Sequence, residues 1–321
     1  MTRHSLDLGK IPTPMAGLAL GIGSLGWCWE NAGQFDGQAQ AAGAMIAACL
    51  LVLLLFKFLF HPGLLKADLR HPVVGSVVPT FAMATMVISK AVGGSLGLTL
   101  WGLAVTLHLV FFANFAWHRI KCFELQHLVP SWFVPPVGII VADVTCPSAG
   151  LVPFAQVLFW FGLACYAVLL PLMIYRFMFA SEVPDAAKPT LAILAAPASL
   201  SLAGYLTIEA DPSVLLVVVL LGVAMLMTTI IYLAFFRLLR LPFSPGYAAF
   251  TFPLVIGSTA LFKVAARFEN WGVGSDTVAQ LLWLARLELI VATVVVSYVS
   301  IRYALAFMTP GTAPADGGAP R

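Results

Sequence analysis

The chain has 321 residues, of which 61% are hydrophobic and 10% charged, and its mean hydropathy is +0.97. Soluble globular domains carry about 25% charged residues, so this composition excludes a soluble globule and predicts an all-α polytopic membrane protein. The net charge of +3 is too small to indicate nucleic acid as a partner. We expect one transmembrane domain over residues 12–307, a cytoplasmic arm over residues 1–11 and a disordered tail over residues 308–321.

Hydrophobic stretches of membrane-crossing length recur along the whole chain and predict ten helices. They span residues 12–30, 38–60, 72–92, 96–117, 129–146, 150–179, 188–208, 213–238, 244–266 and 277–307. Lys and Arg are concentrated in the arm and in the loops after even-numbered helices, whereas the other loops, with Asp143 among their residues, are mostly acidic. The positive-inside rule therefore predicts two cytoplasmic termini, in a plasma membrane such as the bacterial inner membrane.

Prolines mark an internal repeat along this series of helices. Five of them open a hydrophobic segment at intervals of 58, 58, 59 and 56 residues: Pro14, Pro72, Pro130, Pro189 and Pro245. A second proline lies inside each of the last four segments: Pro79, Pro136, Pro197 and Pro253. A repeat of this length accommodates two crossings with their turns, so the sequence predicts five hairpins of two helices each.

The two helices of each predicted hairpin differ in composition. Residues 190–208 contain eleven Gly, Ala, Ser, Thr or Pro among nineteen, whereas residues 214–235 contain five among twenty-two. Small side chains suit close helix packing or the wall of a narrow passage, and bulky ones suit lipid. A mid-helix proline requires protein or water to satisfy the freed carbonyl. We expect the odd-numbered helices to surround one quasi-five-fold axis with their proline kinks inside, although tight packing alone is the alternative.

Four short motifs, in this order and spacing, resemble the tellurite-resistance/dicarboxylate transporter family. They are residues 12–17 (PTPMAG), 130–135 (PSWFVP), 194–198 (LAAPA) and 249–253 (AFTFP). The family includes the bacterial TehA proteins and the slow anion channel of plant guard cells. The resemblance covers roughly residues 11–307 and implies a homotrimer in the lipid bilayer, each protomer holding five hairpins around its own anion pore.

The resemblance also implies a gate, because in that family a phenylalanine of helix nine plugs the pore. By position this residue is Phe252, with Phe250 as the runner-up. The two side chains would point about 200° apart around a helix, so they cannot share one face. The sequence Thr-Phe-Pro at this point looks closer to the plant channels than to the bacterial relatives. Its proline, Pro253, directly follows the implied gate residue.

Polar residues on the odd helices are the candidates for contacting an anion. Lys90, Lys263 and Arg267 lie at the outer ends of these helices, where they form a positive rim or else reach lipid headgroups or Glu269. Hydroxyl groups are available along the helices, and about half should bond their own backbone. They belong to Ser24, Thr80, Thr85, Ser89, Ser199, Ser201, Thr251, Ser258 and Thr259.

Helix ten contains Arg286 and Glu288, two residues apart and so on different faces, for which we expect pairing between helices or subunits. His108 is expected to be a packing residue. Sequence signatures of hydrolases, nucleotide-binding loops and metal sites are missing, so we expect no enzyme, cofactor or metal.

Three functions remain open. The first is a channel for small inorganic or organic anions, gated at Phe252. The second is a secondary carrier, with or without proton coupling, of dicarboxylates or tellurite-related oxyanions, and Glu288 is an available carboxylate for such coupling. The third is a membrane scaffold or enzyme subunit with a filled axis.

Overall fold

The computed structural model describes residues 7–308, and within this range every regular element is a helix. The first six residues of the predicted arm and the predicted tail from residue 309 onward lie outside the described residues. The helices longer than one turn are α1 (Met15–Ala32), α2 (Gln38–Phe60), α3 (Pro62–Arg70), α4 (Val74–Val92), α5 (Gly94–Lys121), α6 (Pro130–Val144), α7 (Ala149–Phe179), α8 (Lys188–Ile208), α9 (Val214–Leu238), α10 (Pro245–Asn270) and α11 (Ser275–Met308).

Among the described residues, eight helices are long and apolar enough to cross a membrane: α2, α4, α5 and α7 to α11. α6 is a shorter apolar segment. α1 has 18 residues, and its last turns carry Glu30 and Asn31, which lower its hydropathy. The prediction of an all-helical membrane protein is therefore confirmed at the level of its class.

One helix was not predicted. α3 lies in the stretch between α2 and α4 that the sequence indicated to be a loop, and it begins with Pro62 in its first turn, where the missing N–H costs no hydrogen bond. Lys57 of α2, 5% exposed, donates to the Thr13 hydroxyl over 2.9 Å and lies 3.6 Å from the Asp68 carboxylate. α3 is thereby fixed to both ends of the first hairpin, at Thr13 before α1 and at Lys57 near the end of α2.

The remaining helices fall into two groups by their contacts. We call α1, α4, α6, α8 and α10 the inner helices and α2, α5, α7, α9 and α11 the outer helices. Each inner helix contacts the next inner helix, and α10 contacts α1, so their contacts close a ring. Each outer helix packs against the inner helix that precedes it and the inner helix that follows it, with α11 returning to α1.

Burial separates the same two groups. In the most apolar stretch of α8 and of α10, 78% of the residues are buried, against 28–33% in each outer helix. The composition explains the difference, because small side chains allow the inner helices to approach closely while the aliphatic surfaces of the outer helices are left to the hydrocarbon. Glycines allow an equally close approach between an inner and an outer helix, since a Cβ on Gly26 of α1 would lie 2.9 Å from the Cα of Gly43 of α2.

Candidate functional site

The second prolines of the repeat lie where one helical stretch ends and another begins. In α8, a 3-10 helix over Lys188–Ala195 is followed by an α-helix that has Pro197 in its first turn. In α10, a 3-10 helix over Pro245–Phe250 is followed by an α-helix that begins at Phe252, with Pro253 in its first turn. A first-turn proline removes no intrahelical hydrogen bond, so the break is built into the helix at little cost.

α4 and α6 are interrupted in the same part of the repeat. Pro79 is the cap residue before the α-helix that starts at Thr80, and Pro136 lies in a short α-helix between two 3-10 turns. The carbonyl of Pro135 contacts the Nε2 atom of His108 at 2.8 Å. His108 belongs to outer helix α5 and is fully buried. A polar side chain from the outer layer therefore provides a hydrogen-bond partner for a backbone carbonyl of the interrupted inner helix.

The break in α10 is held by direct contact with α1. The Thr251 hydroxyl lies 2.7 Å from the Ala248 carbonyl and 3.2 Å from the Gly17 carbonyl. A Cβ on Gly21 would lie 2.4 Å from Thr251 Oγ1 and 3.2 Å from the backbone nitrogen of Phe252. Only glycine permits this approach, and it fixes the backbone from which the Phe252 side chain extends.

The two candidate gate residues have different surroundings. Phe250 is fully buried in an aromatic cluster, with its ring centroid 5.4 Å from that of Phe235 in α9 and 4.7 Å from that of Tyr247. Phe252 is 8% exposed and lies outside the ring pairs found in the described part of the chain. Phe250 therefore has a packing role toward an outer helix, whereas the role of Phe252 as a gate stays a prediction.

The hydroxyl groups of the inner helices divide as the sequence suggested. Six bond a carbonyl of their own helix: Thr80, Thr85, Ser89, Ser199, Thr251 and Thr259. Ser258 instead donates to the Ala285 carbonyl of α11 over 2.8 Å. The hydroxyls of Ser24 and Ser201 are buried with no partner among the described residues, which leaves them free to donate to a bound molecule.

Two of the three basic residues at the ends of α4 and α10, Lys90 and Arg267, link neighbouring inner helices. Lys90 donates to the Cys146 carbonyl just beyond α6, and Arg267 donates to the Ala210 carbonyl just beyond α8, each over 3.4 Å. Lys263 is partly buried and close enough to Lys90 for the two ammonium groups to repel each other. Burial raises the pKa of the Cys146 thiol, which keeps it neutral beside these cations. Among the ion pairs of residues 7–308, none involves these three side chains.

Two carboxyl groups are more deeply buried than the sequence suggested. Asp143 was grouped with the acidic loops, but it lies in the last turn of α6, fully buried, and neither carboxyl oxygen has a hydrogen-bond partner within the described chain. Glu288 is 4% exposed and Arg286 is exposed on the same helix, so the two point apart as expected. The expected pairing of Glu288 is not found among residues 7–308.

Comparison with known proteins assigns this arrangement to a family. Residues 11–304, nearly the whole of the ring and its outer layer, match the voltage-dependent anion channel family, SLAC1. The chain belongs to this family. The SLAC1 match covers the same part of the chain as the sequence resemblance, so the resemblance to the TehA proteins and the plant slow anion channel is confirmed.

Two curated relatives come from the archaeon Methanocaldococcus jannaschii, and both are named as uncharacterized transporters. One is 27% identical over 68% of this chain and 73% of its own length. The other is 28% identical over 66% of this chain and 73% of its own length. Membership of the SLAC1 family places this chain in a class of transporters and channels. Within the described residues, no cluster of His, Cys, Asp or Glu could hold a metal ion.

Proposed function

We propose that the protein conducts small anions through the axis enclosed by the inner helices, and that the Phe252 ring closes this path. Ten helices then cross the membrane, with α1 and the interrupted α6 counted beside the eight long spans. Both termini lie in the cytoplasm, and the five hairpins surround the axis with quasi-five-fold symmetry.

One observation carries this proposal. Phe252 is the first residue after the break in α10, and its backbone is fixed against Gly21 of α1 on the neighbouring side of the ring. A large aromatic side chain at an interrupted point of an inner helix suits a steric barrier, because hydrophobic constrictions gate pores by excluding water.

Several features would favour an anion inside such a path. The breaks in α4, α8 and α10 place the starts of α-helical stretches within the inner layer, and a helix start carries partial positive charge. The unpartnered hydroxyls of Ser24 and Ser201 add hydrogen-bond donors. Lys90 and Lys263 would raise the local anion concentration at the outer end.

We further propose that three copies assemble side by side. Arg286 is exposed on α11, a helix whose surface carries exposed Trp283, Ile290 and Val294. A guanidinium facing acyl chains is costly, and contact with a second copy of the chain would cover it. Cross-linking of the purified protein in lipid should therefore give a trimer, and Arg286→Leu should leave less of it if this face is the interface.

The experiment that tests the channel is a planar-bilayer recording of the purified chain beside Phe252→Ala. If the ring contributes at least about 1.4 kcal/mol to the barrier, its removal raises anion conductance about tenfold or more. Phe250→Leu is the matched control, because it changes an aromatic residue two positions away that packs outward, and its conductance should equal that of the wild type. An unchanged conductance in correctly folded Phe252→Ala overturns the gate.

A second candidate function has one observation in its favour. Glu288 is an intramembrane carboxyl without an ion-pair partner in residues 7–308, which is a feature of proton-coupled carriers. Uphill accumulation of a dicarboxylate or a tellurium oxyanion driven by a pH gradient would identify a carrier. Passive currents with reversal potentials that follow the anion gradient alone would identify a channel.

A further inference from the structure

Glu288 lies in a small enclosure behind the inner ring that is lined mainly by apolar residues. Its side chain extends from α11 into a cavity of about 10 Å³, which is close to the space that one water molecule needs. Ser199 of α8, Thr228 of α9 and Gly257 of α10 line the same cavity. The site therefore combines a carboxyl with the hydroxyl-bearing residues of two further helices, α8 and α9.

Gly257 makes room for the carboxyl. A Cβ at this position would lie 2.8 Å from Glu288 Oε2, so a larger residue would displace the side chain. Oε2 is fully buried and has no hydrogen-bond partner within the described part of the chain. An ionised carboxylate needs several donors or a cation, so this environment suits the neutral form.

The groups around the carboxyl are consistent with that state. Tyr232 of α9 and Cys28 of α1 are the titratable residues near enough to interact electrostatically with Glu288, and both are neutral at physiological pH. On α11 itself, Arg286 lies on an exposed face rather than in the cavity. On α8 and α10, the groups lining the cavity carry no charge.

We propose that Glu288 is a proton-binding site within the membrane, occupied while α8, α10 and α11 are closely packed and emptied when they separate. Loss of the proton leaves a carboxylate that must recruit water into the cavity, with Ser199 and Thr228 as added donors. Gly257 follows Phe252 by five residues on α10, a rise of about 7.5 Å, so separation of α10 would move the gate. The effect on anion flux rests on the proposed function, whereas the proton site itself does not.

The site is tested directly by infrared difference spectroscopy of the full-length protein in lipid. The wild type should show the carbonyl band of a buried protonated carboxyl that weakens as pH rises, and Glu288→Gln should lack this component. Glu269→Gln, which changes an exposed carboxyl of α10, is the control and should keep it. A wild-type spectrum identical to that of Glu288→Gln in this region overturns the proposal.

Anion flux into proteoliposomes supplies the functional readout. Wild-type flux should rise with pH by up to about tenfold per unit, the limit for one ionising group. Glu288→Gln is neutral at all pH values, so its flux should stay at the low-pH level of the wild type. If Glu288→Gln fails to fold, Ser199→Ala and Thr228→Val provide the test, because loss of a hydroxyl that can donate to the carboxylate should raise the pH at which the carboxyl band disappears. An unchanged midpoint pH in both variants would contradict the proposed site.

The two proposals fail in different ways. Absence of the Glu288 component of the carboxyl band, together with raised anion conductance in Phe252→Ala, overturns the proton site and leaves the channel intact. A titrating band in a protein that passes no anion, even as Phe252→Ala, overturns the channel and supports the proton site.

Discussion

Gly21 of α1 lies so close to Thr251 of α10 that a Cβ on the glycine would be 2.4 Å from the threonine hydroxyl oxygen. The next residue along α10 is Phe252, and its backbone nitrogen would be 3.2 Å from the same Cβ. The position of the proposed gate is therefore determined by a glycine on another helix, more than two hundred residues earlier in the chain.

Gly21→Ala should weaken the fold and move the start of α10. Overpacking of a tight contact costs about 1–3 kcal/mol, so the free energy of unfolding in detergent should fall by that amount. Gly102→Ala is the control, because a Cβ there meets no atom within 4 Å. Equal unfolding midpoints for the two variants would show that α10 adjusts without strain.

His108→Leu should destabilise the protein by leaving the Pro135 carbonyl without its partner. An unsatisfied buried acceptor costs about 1–3 kcal/mol, which thermal unfolding in detergent would detect. His108→Gln retains a side-chain donor and should recover part of the loss. A variant with leucine that is as stable as the wild type would mean that the carbonyl finds another donor.

Neutralising the outer basic residues should reduce anion entry in a salt-dependent way. In the double variant Lys90→Gln and Lys263→Gln, we expect conductance at low salt to fall several-fold and to approach the wild type at high salt. Electrostatic attraction of anions is screened over about 10 Å at 0.1 M salt. Lys66→Gln changes a basic residue of α3 and serves as the control. A reduction that is independent of salt would indicate a structural effect instead.

Asp68→Asn should loosen the attachment of α3. The substitution removes the negative charge beside the buried Lys57 ammonium group while keeping an oxygen that can accept from Thr13. Breaking a largely buried ion pair costs up to about 3–5 kcal/mol, and the partial exposure of Asp68 places the expected loss below that range. Faster proteolysis between α2 and α4 would report the change. The exposed pair of Lys10 and Asp7 provides the comparison, since Asp7→Asn should have little effect.

The features that depend on composition and spacing were predicted from the sequence. Small-residue and aliphatic helices alternate because one group is buried and the other is left to lipid, so the order of the helices and most boundaries agree with the structure. Helical geometry predicted that Phe250 and Phe252 do not share one face, whereas the role of Phe252 as a gate stays a prediction. These inferences need only local periodicity, which can be read from residues that are close together in the sequence.

Features that depend on long-range contacts were not predicted. α3 has a polar sequence typical of a loop, and its helix is held by Lys57 from a neighbouring element. Asp143 appeared to lie in an acidic loop because nothing in its surroundings indicated that α6 ends inside the packed layer. The enclosure around Glu288 draws its residues from four helices, and no local pattern could bring them together.

The ring closes through contacts between α1 and the two helices that are synthesised last, α10 and α11. Thr251 contacts the carbonyl of Gly17 across 234 positions, and the Trp29 indole donates to the Thr293 hydroxyl across 264. The two surfaces of α1 that meet these residues therefore stay uncovered during synthesis until α10 and α11 have formed. Formation of this pair of helices is the step that closes the ring.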